Sequence, residues 1–223
     1  MKEDLTQQLY KLYTAEVYSV LADDCPSYQK TLRSAGSSWN DKGNLVLTQP
    51  NRFKDEMRLQ ADLAARYIRD ENSMEPATMK VKNLQGPLKL FRGESSSGKS
   101  SLRSWWFSET VVTHCRKEAG SNPKDQLNWL RNALAVCFNW SNFDKLVFIY
   151  LKRGETIPAV TGRALAMPYY RIEPYIDRKT GEHLIKAYPK DYWEKLGHIF
   201  SGGERQTLLP WVPTRRAKRI DSL

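Results

Sequence analysis

The sequence predicts an α+β fold in which a helical N-terminal region precedes a domain whose strands come late in the chain. Apolar residues recur with helical spacing through the first part of the 223-residue chain. After residue 144, short apolar runs are separated by turn residues, a pattern typical of strands. Strands and helices do not alternate as a doubly wound parallel sheet requires. We therefore expect a helical region over 1–85 and an α+β domain over 86–223 that ends in a basic tail.

Composition excludes several classes of protein. The chain is 40% hydrophobic and 11% aromatic, too apolar for an intrinsically disordered chain. Its longest purely apolar run, Leu146–Leu151, is much shorter than the roughly 20 residues of a membrane-spanning helix. The first residues are acidic and include no apolar stretch of the kind found in a secretory signal. The 3 cysteines have no CxxC spacing and predict reduced thiols, so we expect a cytoplasmic protein.

The charge balance favours an acidic partner without identifying it. The chain carries 35 basic and 25 acidic residues, a net charge of +10, and the basic tail contains Arg215, Arg216, Lys218 and Arg219. Such a chain attracts RNA or DNA, although a basic tail also serves solubility alone. Tyrosines and basic residues also interleave between 169 and 179. This segment is either a stacking and phosphate-binding surface or a half-buried β-region.

In the N-terminal region we expect two helices. Apolar residues at helical spacing predict the first from Leu5 to Leu21, ended by Asp23-Asp24 and Pro26. The second is predicted over 55–69. The segment 35–44 is rich in turn residues, and the segment 72–87 is polar with two prolines, so both are expected to be loops.

The second half is predicted to contain more strands than helices. A strand over 88–92 runs into a Gly/Ser loop, and two helices follow over 109–117 and 124–138. Further strands are expected over 146–151, 157–161, 184–188 and 207–209, with turns at Arg153-Gly154 and Thr180-Gly181 and a short helix over 190–196.

The loop after the 88–92 strand matches a nucleotide-binding motif. Gly93–Ser100 reads G-x-x-x-x-G-K-S, in which Lys99 would reach the β- and γ-phosphates and Ser100 would hold magnesium. A P-loop enzyme also needs a strand that ends in aspartate, but Leu146–Leu151 is followed by Lys152-Arg153. A P-loop NTPase or kinase therefore stays an alternative, beside a surface loop that matches by chance.

Three other segments together resemble the ADP-ribosyltransferase family of NAD-consuming toxins and phage modification enzymes. Leu90-Phe91-Arg92-Gly93 is similar to the family's strand-borne arginine followed by glycine. The segment 103–109 resembles the serine-bearing strand that leads into a helix. Gly202–Pro210 resembles the closing strand, E-x-E followed by three apolar residues and proline. The resemblance covers roughly 88–213 and implies a split β-sheet core, with the N-terminal helices as an extension.

The resemblance also implies roles for individual residues. Arg92, with Gly93, would bind the NAD diphosphate through the planar guanidinium. Ser104 would hold the nicotinamide ribose, and Trp105 would pack on nicotinamide. Phe200, exposed in the turn 197–203, would meet the acceptor together with Arg205. NAD is then a substrate, and we expect no metal, because His114, His183 and His198 are scattered.

The E-x-E segment carries the catalytic expectation and also departs from the family pattern. Residues two apart on a strand share a face, so Glu204 and Gln206 are expected to face the cleft while Arg205 turns away. A carboxylate there would stabilise the oxocarbenium-like ribose. Gln206 stands where the second glutamate is usual and brings no charge. Three explanations are open: Glu204 acts in a shifted register, the acceptor is unusual, or the fold is silent.

The sequence thus predicts an NAD-dependent ADP-ribosyltransferase acting on a macromolecule, with RNA favoured over DNA by the positive charge. A toxin of phage defence would suit such a protein, with a neutralising antitoxin on the N-terminal helices. A nucleic-acid-binding module without enzyme activity is the second alternative, beside the P-loop enzyme.

Overall fold

The structure is a computed structural model that describes residues 4–42, 44–71, 73–94, 105–137, 141, 143–169, 174–176, 183–185, 194–195 and 197–220. The side chains of 70–71, 174–176 and 183–185 are not described. Ser104, the Gly/Ser loop from 95 onward, the Thr180-Gly181 turn and most of the predicted helix over 190–196 lie outside these residues. So does most of the Tyr- and Arg-containing segment 169–179.

The N-terminal region contains four helices and a small hairpin. The helices are α1 (Leu5–Ala15), α2 (Ser19–Asp24), α3 (Pro26–Ser34) and α4 (Pro50–Glu71), and the hairpin pairs β1 (Ser37–Trp39) with β2 (Leu45–Leu47). The single helix predicted over 5–21 is therefore wrong, because the backbone at 16–18 is extended. The Tyr18 hydroxyl donates to the carbonyl of Leu12 at 2.6 Å and so links the extended segment back to the last turn of α1.

A seven-stranded sheet forms the centre of the molecule, and every neighbouring pair in it is antiparallel. Its strands are β3 (Lys80–Gln85), β4 (Leu88–Glu94), β5 (Trp105–Ser108), β6 (Lys145–Leu151), β7 (Thr156–Arg163), β12 (Arg205–Leu208) and β13 (Lys218–Ile220). Their order across the sheet is β13-β6-β4-β5-β12-β7-β3. The α+β class is thus confirmed.

The remaining elements lie between these strands in the chain. Helices α5 (Glu109–Ala119) and α6 (Pro123–Ala133) follow β5, and α6 ends before the predicted residue 138. Two short pairs join β8 (Met167–Pro168) to β11 (Ile199–Phe200) and β9 (Pro174–Ile176) to β10 (His183–Ile185). No helix in the described residues is long and apolar enough to cross a membrane.

Around β4 and β6, each face of the sheet has its own hydrophobic core. On one face, Leu90, Trp106 and Ile149 belong to a core that also includes Leu9 of α1 and Met57 of α4. We call this the α4 face. On the other face a second core joins residues of β4, β5 and β6 to α5 and α6, and we call this the α5/α6 face; its buried members include Phe91, Phe107, Val111, Leu130 and Leu146. Alternate residues of β4 therefore serve different cores.

Two segments that were not predicted to be strands are part of the sheet. The segment 72–87 contains β3, which pairs with β7 at one edge, and Lys80 and Lys82 are exposed there. The hydrophobic core accordingly continues across the predicted boundary at residue 85/86. The expected basic tail is also ordered in part, because β13 pairs with β6 at the opposite edge. Arg216 is likewise held, by Asp24 and Glu155.

Candidate active site

The three segments of the resemblance lie on three adjacent strands. Arg92 and Gly93 are in β4, Trp105 is in β5 and Gln206 is in β12, with β5 between the other two. The register places Phe91 opposite Phe107 and Trp106 opposite Thr207. Segments that are far apart in the sequence thus meet in one part of the sheet.

Arg92 and Gln206 project from opposite faces of that sheet. Phe91 stacks on Phe107 on the α5/α6 face, with ring centroids 6.0 Å apart. Gly93 faces the same way, since a Cβ there would lie 2.1 Å from the ring of Phe143. Arg92 lies between them and therefore points to the α4 face, where its Nε donates to the Gly93 carbonyl at 3.5 Å. The expected common cleft for Arg92 and Gln206 is not what the structure shows.

Gln206 has a structural position on the α5/α6 face. Its side chain is buried, and its Nε2 donates to the carbonyl of Leu134 just after α6. That carbonyl has no partner within the helix hydrogen-bond ladder, so the amide satisfies a helix end. A carboxylate could not make this hydrogen bond, because it offers no donor when ionised. The glutamine in place of glutamate is thereby explained by packing.

Glu204 is the partly exposed member of the Glu204–Gln206 pair. Its Oε1 lies 3.0 Å from Nδ1 of His114 in α5, and its side chain is 24% exposed. Its backbone N–H donates to the carbonyl of Ala133 at 3.1 Å, and its carbonyl accepts from the N–H of Ala164 at 2.8 Å. These contacts hold the backbone of Glu204 immediately before β12 and leave its side chain partly exposed.

The turn before Glu204 is shaped by glycine. Gly202 has φ +66° and Gly203 has φ +100°, and a Cβ on Gly202 would lie 2.5 Å from the carbonyl oxygen of Ala164. The Ser201 N–H donates to the side-chain oxygen of Asn132 at 2.9 Å. The turn is therefore held against the end of α6 in a conformation that favours glycine.

Phe200 does not present its ring to an acceptor. It is 4% exposed and stacks on Tyr169 with ring centroids 4.2 Å apart, so the expected exposed contact is wrong. Its neighbour Ile199 is 62% exposed instead. Arg205 is exposed, as its predicted role requires, and its backbone pairs with Arg163 of β7.

Trp105 packs on the N-terminal helices. Its indole N–H donates to the Tyr67 hydroxyl of α4 at 3.0 Å, and the two rings are 6.0 Å apart. The indole is thus engaged by α4, and the structure does not describe Ser104 beside it.

The α4 face holds polar groups that the sequence did not single out. Trp106 Nε1 and Thr161 Oγ1 are buried without a hydrogen-bond partner among the described residues. Thr207 lies between them in the sheet, and Arg92 is on the same face. Glu94, two residues after Arg92 in β4, is a buried carboxyl on that face. The spacing of two residues between Arg92 and Glu94 in a strand could have indicated from the sequence that both side chains share one face.

The described residues favour neither a P-loop nor a metal or thiol site. β4 and the next described strand, β5, are antiparallel neighbours, and the described sheet has none of the parallel pairs of an alternating strand–helix fold; residues 95–104, which include most of the motif, lie outside the described residues. No cluster of three or more His, Cys, Asp or Glu side chains occurs in the described part of the chain. The three cysteines are buried, and burial raises the pKa of Cys115 to about 11, which keeps that thiol protonated.

Comparison with known proteins adds little. No family model matches the chain, and no curated protein matches it. The chain is similar to one solved structure described as "Rhs1-CT in complex with cognate immunity protein RhsI1", at 15% identity and a TM-score of 0.32. The alignment covers 65% of this chain and 78% of that chain. A likeness at this TM-score does not establish a shared fold.

Proposed function

We propose that this protein is an NAD-dependent ADP-ribosyltransferase that acts on a macromolecule. The observation that carries the proposal is the position of the three resembling segments on the adjacent strands β4, β5 and β12. A chance match of each segment would not require them to be neighbours in space.

In the proposed reaction, the bond between nicotinamide and ribose C1′ breaks and its electron pair leaves with nicotinamide. A nucleophile of the acceptor then forms a new bond to C1′ and loses its proton. Arg92 on the α4 face is suited to hold the diphosphate, because its fork of N–H donors matches two phosphate oxygens. A carboxylate beside the ribose would stabilise the positive charge of the transition state.

Two carboxylates are candidates for that role. Glu204 belongs to the resemblance and is accessible, but it contacts α5 and lies on the face opposite Arg92. For one NAD molecule to reach both, the start of β12 must turn toward the α4 face, and Gly202-Gly203 is the natural point of rotation. Glu94 already shares the face of Arg92 and needs no such change.

We further propose an RNA acceptor and a role as a phage-defence toxin with an antitoxin. The net charge of +10 supports an acidic acceptor. Leu59 and Leu63 of α4 are 52% and 48% exposed, which supports a protein partner on the N-terminal helices. Because these helices share a core with the sheet, the partner is best tested by Leu59→Asp in the intact chain. Partner binding that survives Leu59→Asp together with Leu63→Asp would contradict this site.

Nicotinamide release from NAD tests the transferase, with total RNA, sheared DNA or cell lysate as acceptor. We expect release that depends on one acceptor and is lost in Arg92→Ala. Arg33→Ala, which removes an exposed arginine of α3, is the matched control and should leave release unchanged. No release with any acceptor, together with ATP hydrolysis lost in Lys99→Ala, would replace the proposal by a P-loop enzyme.

The same assay decides between the two carboxylates. Loss of release in Glu204→Gln, with Glu94→Gln active, would assign the charge stabilisation to Glu204 and require the turn of β12. The reverse result would place the whole site on the α4 face. Melting temperatures of both variants must stay near that of the parent protein, since Glu94 is buried.

A further inference from the structure

A basic and aromatic surface lies on the sheet outside the candidate active site. It consists of Lys89 of β4, Phe148 and Tyr150 of β6, and Lys218 of β13, and we call it the β6 platform. The register places Lys89 opposite Tyr150 and Lys218 opposite Phe148, so all four side chains are on one face. We propose that the β6 platform binds single-stranded nucleic acid, with bases stacked on the aromatic rings and phosphates on the lysines.

The aromatic side chains of this platform are open to a ligand. Tyr150 is 42% exposed, although it lies on a strand whose other face is buried in the core. Phe148 is partly buried, and its ring contacts Phe91 at its inner side. Phe148 and Tyr150 are two residues apart on β6, so their Cα atoms lie about 6.8 Å apart. An unstacked base of an extended single strand can stack on the exposed ring of Tyr150, and Phe148 extends the apolar surface beside it.

The charges of the platform suit phosphate. Lys89 Nζ lies 5.8 Å from the ring centroid of Phe148, so a cation is held beside a stacking position. Neither Lys89 nor Lys218 forms an ion pair with another described residue. Both ammonium groups therefore remain available to a phosphate backbone, and the net charge of +10 attracts that backbone from a distance.

The β6 platform lies next to the edge of the sheet. β13 is the edge strand of the sheet, so the platform is approached from the side without crossing another strand. Lys152 continues the series beyond Tyr150 and is exposed. Binding of nucleic acid here does not depend on NAD; only the further step, that the bound strand is the acceptor of ADP-ribose, rests on the proposed function.

Fluorescence anisotropy with labelled 12-nucleotide oligomers tests the proposal on the full chain. The probes are a single-stranded RNA, a single-stranded DNA of the same sequence and the duplex RNA, each titrated at several salt concentrations. We expect both single strands to bind more tightly than the duplex, since paired bases cannot stack on protein rings. Tyr150→Ala should weaken single-strand binding about tenfold, and Tyr150→Phe should retain it.

Matched variants separate the platform from a general effect of charge. The double variant Lys89→Gln with Lys218→Gln removes two phosphate contacts and should reduce the slope of log affinity against log salt by about 1.4. Lys30→Gln with Lys54→Gln removes two exposed lysines elsewhere and should keep that slope. Trp39→Ala, at a residue that is 62% exposed in the β1–β2 hairpin, is the aromatic control.

Three results would overturn the proposal: no single-strand binding at low salt, equal or tighter binding of the duplex, or equal losses in platform and control variants. If Tyr150→Ala lowers the melting temperature, Tyr150→Thr takes its place, because threonine suits a strand. Binding without nicotinamide release would leave the platform in place and contradict only the proposed transferase. Equal affinity for RNA and DNA supports stacking and phosphate contact without use of the 2′-hydroxyl.

Discussion

Replacing Arg216 by alanine should destabilise the protein by about 2 kcal/mol, since one guanidinium joins three distant parts of the chain. Its Nε donates to Asp24 at 2.5 Å, at the end of α2, and its Nη1 donates to Glu155 at 2.6 Å, in the turn between β6 and β7. All three side chains are only about one-fifth exposed. The variant loses two charge-assisted hydrogen bonds and leaves two carboxylates poorly solvated. For a chain of this length, the loss lowers the melting temperature by about 4–8 °C.

The loss of stability in Arg216→Ala should become smaller as the pH falls. Burial disfavours the ionised form of Glu155, but the hydrogen bonds from Arg216 and from the Lys152 N–H, together with the positive charges of those two residues, outweigh burial and lower the pKa of that carboxyl. A carboxyl with a lowered pKa in the folded state stabilises the protein above its unfolded pKa, and that stabilisation is lost as the pH falls through the folded pKa. The difference between parent and Arg216→Ala should be full at pH 7 and shrink below about pH 4.

Thermal unfolding followed by circular dichroism at pH 7 and at pH 3.5 measures both effects. Arg219→Ala, at an exposed position of β13, is the matched control and should change the melting temperature by less than about 2 °C. An Arg216→Ala protein as stable as the parent at pH 7, or a difference that grows in acid, would refute the reasoning. A double-mutant cycle with Glu155→Gln isolates the energy of the pair itself.

Other variants test the candidate site through stability. Gln206→Glu, which restores E-x-E, should lower the free energy of unfolding by about 2–3 kcal/mol at neutral pH, because the carboxylate would face the Leu134 carbonyl. The loss should be smaller in acid, where the carboxyl is protonated. Urea unfolding at pH 7 and at pH 5 measures both values, and an unchanged midpoint would contradict the reasoning. Gly202→Ala should lower the free energy of unfolding clearly more than Gly120→Ala does, because both glycines have positive φ but only at Gly202 would a Cβ meet another atom, the Ala164 carbonyl oxygen. Equal losses in urea unfolding would contradict that close contact. Thr161→Val should leave the free energy of unfolding unchanged or raise it by up to about 1 kcal/mol, because it replaces a buried hydroxyl that has no partner among the described residues. A decrease of more than about 1 kcal/mol in urea unfolding would show that the hydroxyl has a partner.

Much of the sheet was predictable because its strands have strong local patterns. β4 and β6 are apolar runs bounded by charged or turn residues, and the structure places both close to the predicted bounds. β3 was missed because its polar residues Lys80, Lys82, Asn83 and Gln85 leave only Val81 and Leu84 as apolar residues, three positions apart, in an edge strand. Such a strand carries a weak hydrophobic signal, since its pairing comes from a distant partner.

The helix boundaries show how tertiary contacts override periodicity. Val20 and Leu21 of α2 lie in the same core as Leu9 and Tyr13 of α1, so the apolar spacing continues across the break at 16–18. A proline disfavours the helical conformation of the residue before it, which predicts a helix end at Pro26, yet Pro26 is the first residue of α3. Proline fits that first position because the first helical N–H has no partner within the helix.

The candidate site was predictable in its strands but not in the direction of its side chains. Arg92 and Gln206 were expected in one cleft because each segment alone resembles its counterpart. Their faces depend on the register of β5 against both neighbours and on where α6 ends, near Leu134. The local sequence around the motifs determines neither the register of β5 nor the position at which α6 ends. The same holds for the His114 contact of Glu204, which joins a helix to a strand far along the chain.

The place of β12 in the sheet also bears on the synthesis of the protein. This strand lies between β5 and β7, both of which leave the ribosome before it. Until residue 208 has emerged, each of them has an open edge with unpaired N–H and C=O groups, and the Trp105–Ser108 segment is apolar. Until β12 is synthesised, the nascent chain therefore lacks the Glu204 segment and has two open strand edges. Chaperone demand should fall sharply once the turn at Gly202-Gly203 allows β12 to insert.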